Sequence, residues 1–345
     1  MSVQQISVST GTTKRQVVEP LLTRKPQSYW GMALTSIRHD RLTLTAMIIV
    51  VLMGVSAIFA PLIANGLVGV GPNDTNPSNA FAPPYILPYI KWQLGLDSTE
   101  AALMLGKSGG IPNWLGTDQL GRDQLVRLLY GGRVSLGIAF TAAFLSLFLG
   151  IAVGGVAGYF GGWVDDVVMW FINTVDSIPT IYLLIIVSAI FKPSPSTLIL
   201  FLGLLGWFGT ARFMRGNVFK VRQLDYTLSA RSIGAPDWRI LLQHILPNTI
   251  PVIVVITAIG IGSLILVESV LSFLGLGVQQ PTATWGSMLS HTQEYFFLID
   301  PATGRNRALH LMLSPGILIW IAVLCFYLIG DGLRDALDPT LKDKK

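Results

Sequence analysis

Six runs of predominantly apolar residues, at 42–64, 134–157, 167–191, 197–214, 250–271 and 311–330, constrain this chain more than any other feature. Each is close to the roughly 20 residues that an α-helix needs to cross the hydrocarbon of a bilayer. Only 12% of the residues are charged and 51% are apolar, against about 25% charged in a soluble domain, so water is not the solvent for most of the chain. The runs therefore predict an all-α integral membrane protein with six transmembrane helices and one membrane domain. A mostly polar tail, 1–41, precedes the first run and is too long and mixed for a signal-peptide n-region, so the first helix is expected to stay uncleaved behind it.

Lys and Arg gather in loops on the cytoplasmic side. With the N-terminus inside, the tail, the segment between the fourth and fifth runs and the C-terminal end hold sixteen of the 24 basic residues. The outer segments hold the rest, with Arg122, Arg127 and Arg133 crowded near the start of the second run. Both termini are thus expected in the cytoplasm, and the net charge of +5 reflects topology and needs no nucleic-acid partner. The turn "GYFGGWVDD" from Gly158 runs against the pattern, with two aspartates and no base. The divisions that follow are a cytoplasmic tail, 1–41; a first helix, 42–64; an extracytoplasmic loop region, 65–132; a five-helix core, 133–335; and a cytoplasmic end, 336–345.

Few residues suit catalysis or cofactor binding. The four histidines, His39, His244, His291 and His310, fall in unrelated segments, and Cys325 is the only cysteine, so no metal-ligand spacing or disulfide framework arises. "AALMLGKSGG" at 101–110 ends like a phosphate loop but has Ala101 where the motif needs glycine, and it lacks a strand–loop–helix frame. The same stretch contains a GxSxG without the setting of a nucleophile elbow. The chain is therefore read as non-enzymatic, with no catalytic, metal-binding or cofactor-binding residue.

Two groups of residues stand out inside the runs. Gly150, Gly154, Gly158 and Gly162 recur every four residues, and Gly203, Gly206 and Gly209 every three; such rows admit a second helix closely, from this subunit or another. Asp176, three residues before Pro179, and Glu268 are acids within apolar runs. Burial at mid-membrane costs an acid roughly 2.5–3.5 kcal/mol, so each is expected either to face a translocation path or to be paired.

Between the fourth and fifth runs lies "YTLSARSIGAPDWRILLQHILPN", 226–248. Pro236 divides it, with one short helix expected over 225–233 and a second from Trp238 to Leu246. The second carries Trp238, Leu241, Leu242 and Ile245 at i, i+3, i+4 and i+7, an apolar stripe for a membrane surface or a neighbouring helix. The first is small-faced, with Ser229, Ala230, Ser232 and Gly234, and suits a groove on another protein. Helix-turn-helix DNA binding is the soluble alternative, and the flanking membrane runs argue against it.

This segment resembles the EAA loop of ABC-importer permeases: Glu-Ala-Ala, three residues, Gly, nine residues, Ile-x-Leu-Pro. Counting from Gly234, Ala230 matches the second alanine, Ser229 stands at the first and Leu228 replaces the glutamate; His244 replaces the isoleucine, and Leu246 and Pro247 match. "LGTDQLGRD" from Leu115, "YGGRVSLGI" from Tyr130, "GYFGGWVDD" from Gly158, "SFLGLGVQQPTATWGSML" from Ser272 and "GDGLRDALDP" from Gly330 are similar to the dipeptide/oligopeptide permease family, in its subunit with a long outer loop after helix 1. The resemblance covers about two thirds of the chain and leaves out the tail and the insertion near 85–110.

The resemblance implies a type I ABC-importer permease fold in a cell inner or plasma membrane. The implied partners are a homologous permease subunit, two ABC ATPases that hold ATP and Mg, and an extracytoplasmic solute-binding protein. The coupling helix would be 229–237, with Ser229, Ala230, Ser232, Ile233, Gly234, Ala235 and Asp237 meeting the ATPase. Close relatives of the same scaffold import nickel or oligosaccharides. An ion channel, a secondary transporter or an intramembrane enzyme are the rival classes, and none of them would need ATPase partners.

Overall fold

The computed structural model describes residues 31, 37–93, 112–290, 292–295, 297–299 and 306–337. The phosphate-loop-like stretch 101–110, most of the N-terminal tail and 338–345 lie outside them. Helices come in the order α1 (Arg41–Ile58), α2 (Ala60–Leu67), α3 (Ile86–Gln93), α4 (Gln124–Phe160), α5 (Gly162–Asp176), α6 (Thr180–Ile190), α7 (Pro195–Val221), α8 (Asp225–Ser232), α9 (Asp237–Phe273), α10 (Trp285–Ser290) and α11 (Leu309–Leu337). α1, α4, α7, α9 and α11 are each long and apolar enough to cross a bilayer. The bent pair α5 and α6, set at 74° to each other, passes the same test only when the two are taken together, as a broken sixth span or a re-entrant loop. Large apolar side chains such as Leu42, Leu52, Phe144, Phe148, Trp170 and Ile190 point outward, the reverse of a water-soluble bundle.

Local chemistry sets the ends. Asp123 caps α4, its carboxylate accepting from the Val126 amide at 2.9 Å. Asp40 caps α1 through the Leu42 amide and the Thr43 hydroxyl. Ser194 caps α7, with Pro195 in the first turn. These caps start α4 and α7 before the apolar runs themselves.

Two expectations change. The third run, 167–191, is not one straight helix: it breaks after Asp176, because Pro179 has no amide and its ring crowds the carbonyl one turn earlier. The apolar stripe Trp238, Leu241, Leu242, Ile245 does not form a single face: Ile245 is buried and Leu241 half-buried, while Trp238 and Leu242 are exposed. Ile240–Ile245 is a π-turn, in which the Leu246 amide donates to the Leu241 carbonyl. Pro247 has no amide for Gln243, and the wider turn brings Ile240 and Ile245, five apart, into the core while Trp238 and Leu242 stay exposed.

α4 and α7 form the central pair, and the four-residue glycine row lies between them. A methyl on Gly150 would sit 2.5 Å from the Thr210 Cβ, one on Gly154 would run into the Ala211 carbonyl oxygen, and one on Gly158 would sit 2.8 Å from the Arg215 carbonyl oxygen. The row is therefore an intrasubunit seam, and it ends where α4 does, so Gly162 takes no part. α9 packs on α4, α11 on α9, and α1 on both α11 and α4. Gly203 and Gly206 meet Leu145 and Ser146 of α4, while Gly209 faces open space.

At the end opposite α8, "LGTDQLGRD" makes a clamp. Asp118 accepts from Arg122 Nε at 2.6 Å, from the Arg122 amide at 3.0 Å and from the Leu120 amide at 2.9 Å. Arg122 reaches Gln280 and Arg127 the Pro72 carbonyl, tying both long loops to the start of α4. Asp123 is buried with its second oxygen, Oδ2, unpartnered, and burial raises its pKa from 3.8 to about 6.

Two predictions follow the packing. Gly154→Ala drives a methyl into the α7 backbone and should cost about 1–3 kcal/mol; Gly137→Ala, on the same helix with nothing within 4 Å, should be neutral or stabilising. Thermal unfolding in detergent compares them. A carboxyl with a raised native pKa contributes stability that is fully present below the unfolded pKa and lost as pH rises through the native one. Asp123→Asn keeps a cap and does not titrate, so wild-type stability should fall relative to the variant between pH 3.8 and about 6. A pH-independent difference in melting temperature contradicts this.

Candidate functional site

The polar segment between α7 and α9 projects from the bundle as a short helix and a turn. α8 begins with Asp225 in its first turn, where an acid suits the helix dipole. Gly234 closes the turn at φ +80, a left-handed conformation that L side chains resist. Pro236 then opens α9.

The nominated residues divide by exposure. Ser229, Ser232, Ile233, Gly234 and Asp237 are exposed, Ala235 is half-buried, and Ala230 is buried against Tyr159, Met214, Val218, Ile240, Ile245 and Ile253. Ala230 is thus the packing face of α8, while Ile233 stands 85% exposed at its tip. Leu224, Tyr226, Leu228, Trp238 and Leu242 are also exposed, so the projecting surface is apolar as well as small.

A polar junction holds this element to the core. The Tyr159 hydroxyl, at the end of α4, donates to Asp237 Oδ1 at 2.5 Å and accepts from Arg231 at 3.2 Å. Arg231 also lies over the Tyr159 ring, 5.5 Å from its centroid. Arg222 donates to the Gly158 and Tyr159 carbonyls at 3.0 and 2.9 Å, capping the last turn of α4. In the sequence Tyr159 is only a letter of "GYFGG"; no spacing pairs it with Asp237.

Two aspartates of α5, Asp165 and Asp176, each find an arginine on α7. Asp165, in the first turn of α5, takes a two-pronged contact from Arg215 Nε and Nη2. The turn that lacks a base in sequence therefore has one from across the bundle. Asp176 receives Arg212 Nη1 at 2.7 Å, and Arg212 Nη2 reaches Asn173 at 3.1 Å.

Glu268 has a different setting. It has no exposed surface and accepts from the Ser135 hydroxyl of α4 at 3.0 Å and the Ser272 hydroxyl at 2.7 Å. The Ser135 oxygen in turn accepts from the Trp285 amide at 3.1 Å, and the Trp285 indole donates to the Leu128 carbonyl at 3.0 Å. Glu268 thus ties α9, α4 and α10 together inside the subunit. Among the described residues no three His, Cys, Asp or Glu side chains gather where a metal could bind.

Residues 146–343, from the glycine seam through α11, match the family described as the binding-protein-dependent transport system inner membrane component. The chain belongs to this family. As a permease component of ABC importers it is a multi-pass membrane protein, with the segment 226–248 and the seam both inside the matched region. Residues 28–84 also match the N-terminal transmembrane domain of oligopeptide transport permease C. The permease is 32% identical to the dipeptide transport system permease protein of Alkalihalophilus pseudofirmus over 340 residues, 95% of this chain and 99% of the relative. It is 31% identical to the oligopeptide transport system permease protein of Bacillus subtilis over 321 residues, 93% of each. It is 40% identical to the glutathione transport system permease protein of Pectobacterium atrosepticum over 230 residues, 67% of this chain and 73% of the relative.

The setting of Glu268 makes a prediction for the permease. Glu268→Ala leaves two buried hydroxyls without their acceptor and should destabilise by about 1–3 kcal/mol. Glu268→Gln keeps an acceptor and should cost less than half as much. Equal melting temperatures for the alanine variant and wild type contradict the interior role.

Proposed function

We propose that this chain is one of two permease subunits of an ATP-driven importer for di- and oligopeptides, glutathione included. The names of its relatives support the substrate class. A homologous permease subunit would complete the path, two ABC ATPases would hold ATP and Mg, and an extracytoplasmic solute-binding protein would deliver the peptide. Catalysis would reside in the ATPases.

The observation that carries the coupling role is the exposed tip of α8, Ile233 and Gly234, on an element locked to α4 by Tyr159, Asp237 and Arg231. A free apolar tip suits a cleft on another protein, and a rigid base suits the transfer of motion. Ser229, Ser232, Ile233, Gly234 and Asp237 form the contact surface, with Leu228 adding apolar area where relatives of the family often have a glutamate. Ala230 and Ala235 hold the element against the core. Lys220, Arg222, Arg231, Arg239 and Arg334 all lie toward this end, which supports its placement in the cytoplasm together with both termini.

The variant Ile233→Glu loses no packing in the subunit, since the side chain makes almost none. In proteoliposomes carrying the whole complex, it should abolish ATPase stimulation by peptide-loaded binding protein while the subunit stays in the membrane. Gly234→Asn, which tolerates the left-handed turn, should retain most of the stimulation. Full stimulation in Ile233→Glu contradicts the coupling role.

A further inference from the structure

The face of α7 that carries Arg212 is open. Arg212 and Asp176 keep 39% and 40% of their side-chain surface. Gly209 and Gly216, one turn before and after Arg212, are exposed, and a methyl added to either would meet nothing within 4 Å. Yet its partner Asp176 lies about 14 Å inside the start of the third apolar run at 167, at 1.5 Å per residue. Ion pairs at such depth face the protein interior or a water-filled cavity and avoid lipid.

The backbone beside the pair points the same way. Ser177, Ile178 and Pro179, the break between α5 and α6, are all exposed. The break lies about 22 Å along α5 from Gly162. Non-helical backbone at membrane depth is tolerated only where it is enclosed by protein or lines water. The ion pair and the broken helix, which share Asp176, therefore mark one face that is kept from lipid, against protein or water.

We infer that Arg212 is a station for the carboxylate of the passing substrate, with Asp176 and Asn173 holding the guanidinium extended when the station is empty. The inference rests on the peptide-importer reading above. A guanidinium has five N–H donors in a planar fork, and only two of them are used, toward Asp176 and Asn173. The remaining donors and the open glycine-flanked space fit a second carboxylate, taken two-pronged as arginine prefers. A partly exposed pair binds its own partner weakly, so substrate competes for Arg212 and is released again. In the sequence Arg212 reads only as a cytoplasmic base, since neither Asp176 nor the bend is visible beside it.

The test uses the complete importer in proteoliposomes, with binding protein pre-loaded with tri-alanine or its C-terminal amide. Wild type should import the free acid faster than the amide. Arg212→Gln should slow the acid on the order of tenfold, the loss expected for one charge-assisted contact, and leave the amide unchanged. Asp176→Asn should keep the preference for the acid. Arg212→Lys, which retains the charge, should keep part of it and serves if the glutamine variant does not assemble. Equal slowing of both peptides in Arg212→Gln and Asp176→Asn marks a structural pair and overturns the inference, as does a wild type that does not distinguish acid from amide. A wild type that imports neither overturns the peptide reading, and this inference with it.

Discussion

The contact on which the rest of the permease depends is the glycine seam between α4 and α7. In lipid, helices gain nothing from burying apolar surface against one another, so association rests on close van der Waals packing and on interhelical hydrogen bonds. Gly150, Gly154 and Gly158 bring the α4 backbone against Thr210, Ala211 and Arg215. That approach sets the separation at which Arg215 meets Asp165 of α5 and Arg222 reaches the carbonyls that end α4. Glu268 does the corresponding work near the other end, joining α9 to α4 through hydroxyls.

The same seam fixes the base of α8. Tyr159 follows the last seam glycine directly, so the position of its hydroxyl is set by α4, and through it Asp237 and Arg231 are held. Ala230 belongs to the same buried cluster as Met214 and Val218 of α7. α8 is thereby held to α4 through Tyr159 and to α7 through the bond from the Thr227 hydroxyl to the Val221 carbonyl. The clamp around Asp118 at the far end ties the two long loops to the start of the same α4, so one helix links both ends of the bundle.

Much of this is legible in the sequence for a physical reason: lipid-spanning helices write their presence as apolar length, and glycine rows write close approach. The six runs and the segment 226–248 emerge from those signals, and the family from motifs 115–339. What is not legible depends on partners far apart in the chain. Asp165 with Arg215, Asp176 with Arg212, and Glu268 with Ser135 are each brought together only by packing. Local chemistry also overrides periodicity at two prolines. Pro179 breaks the third run, and Pro247 widens the preceding turn, so that a stripe drawn at helical spacing names Trp238 and Leu242, which are exposed, and passes over Ile240, which is buried.

The central claim is that α8 moves with α4 as one body. On a Cys325→Ala background, spin labels at Ser232 on α8 and Ala152 on the outward face of α4 give this distance by pulsed electron resonance in the assembled complex. The account predicts that the distance distribution is the same in nucleotide-free and ATP-trapped states, and that Tyr159→Phe broadens it. A shift of several ångströms between the two states in wild type would contradict it, because α8 would then be moving independently of the helix it is held to.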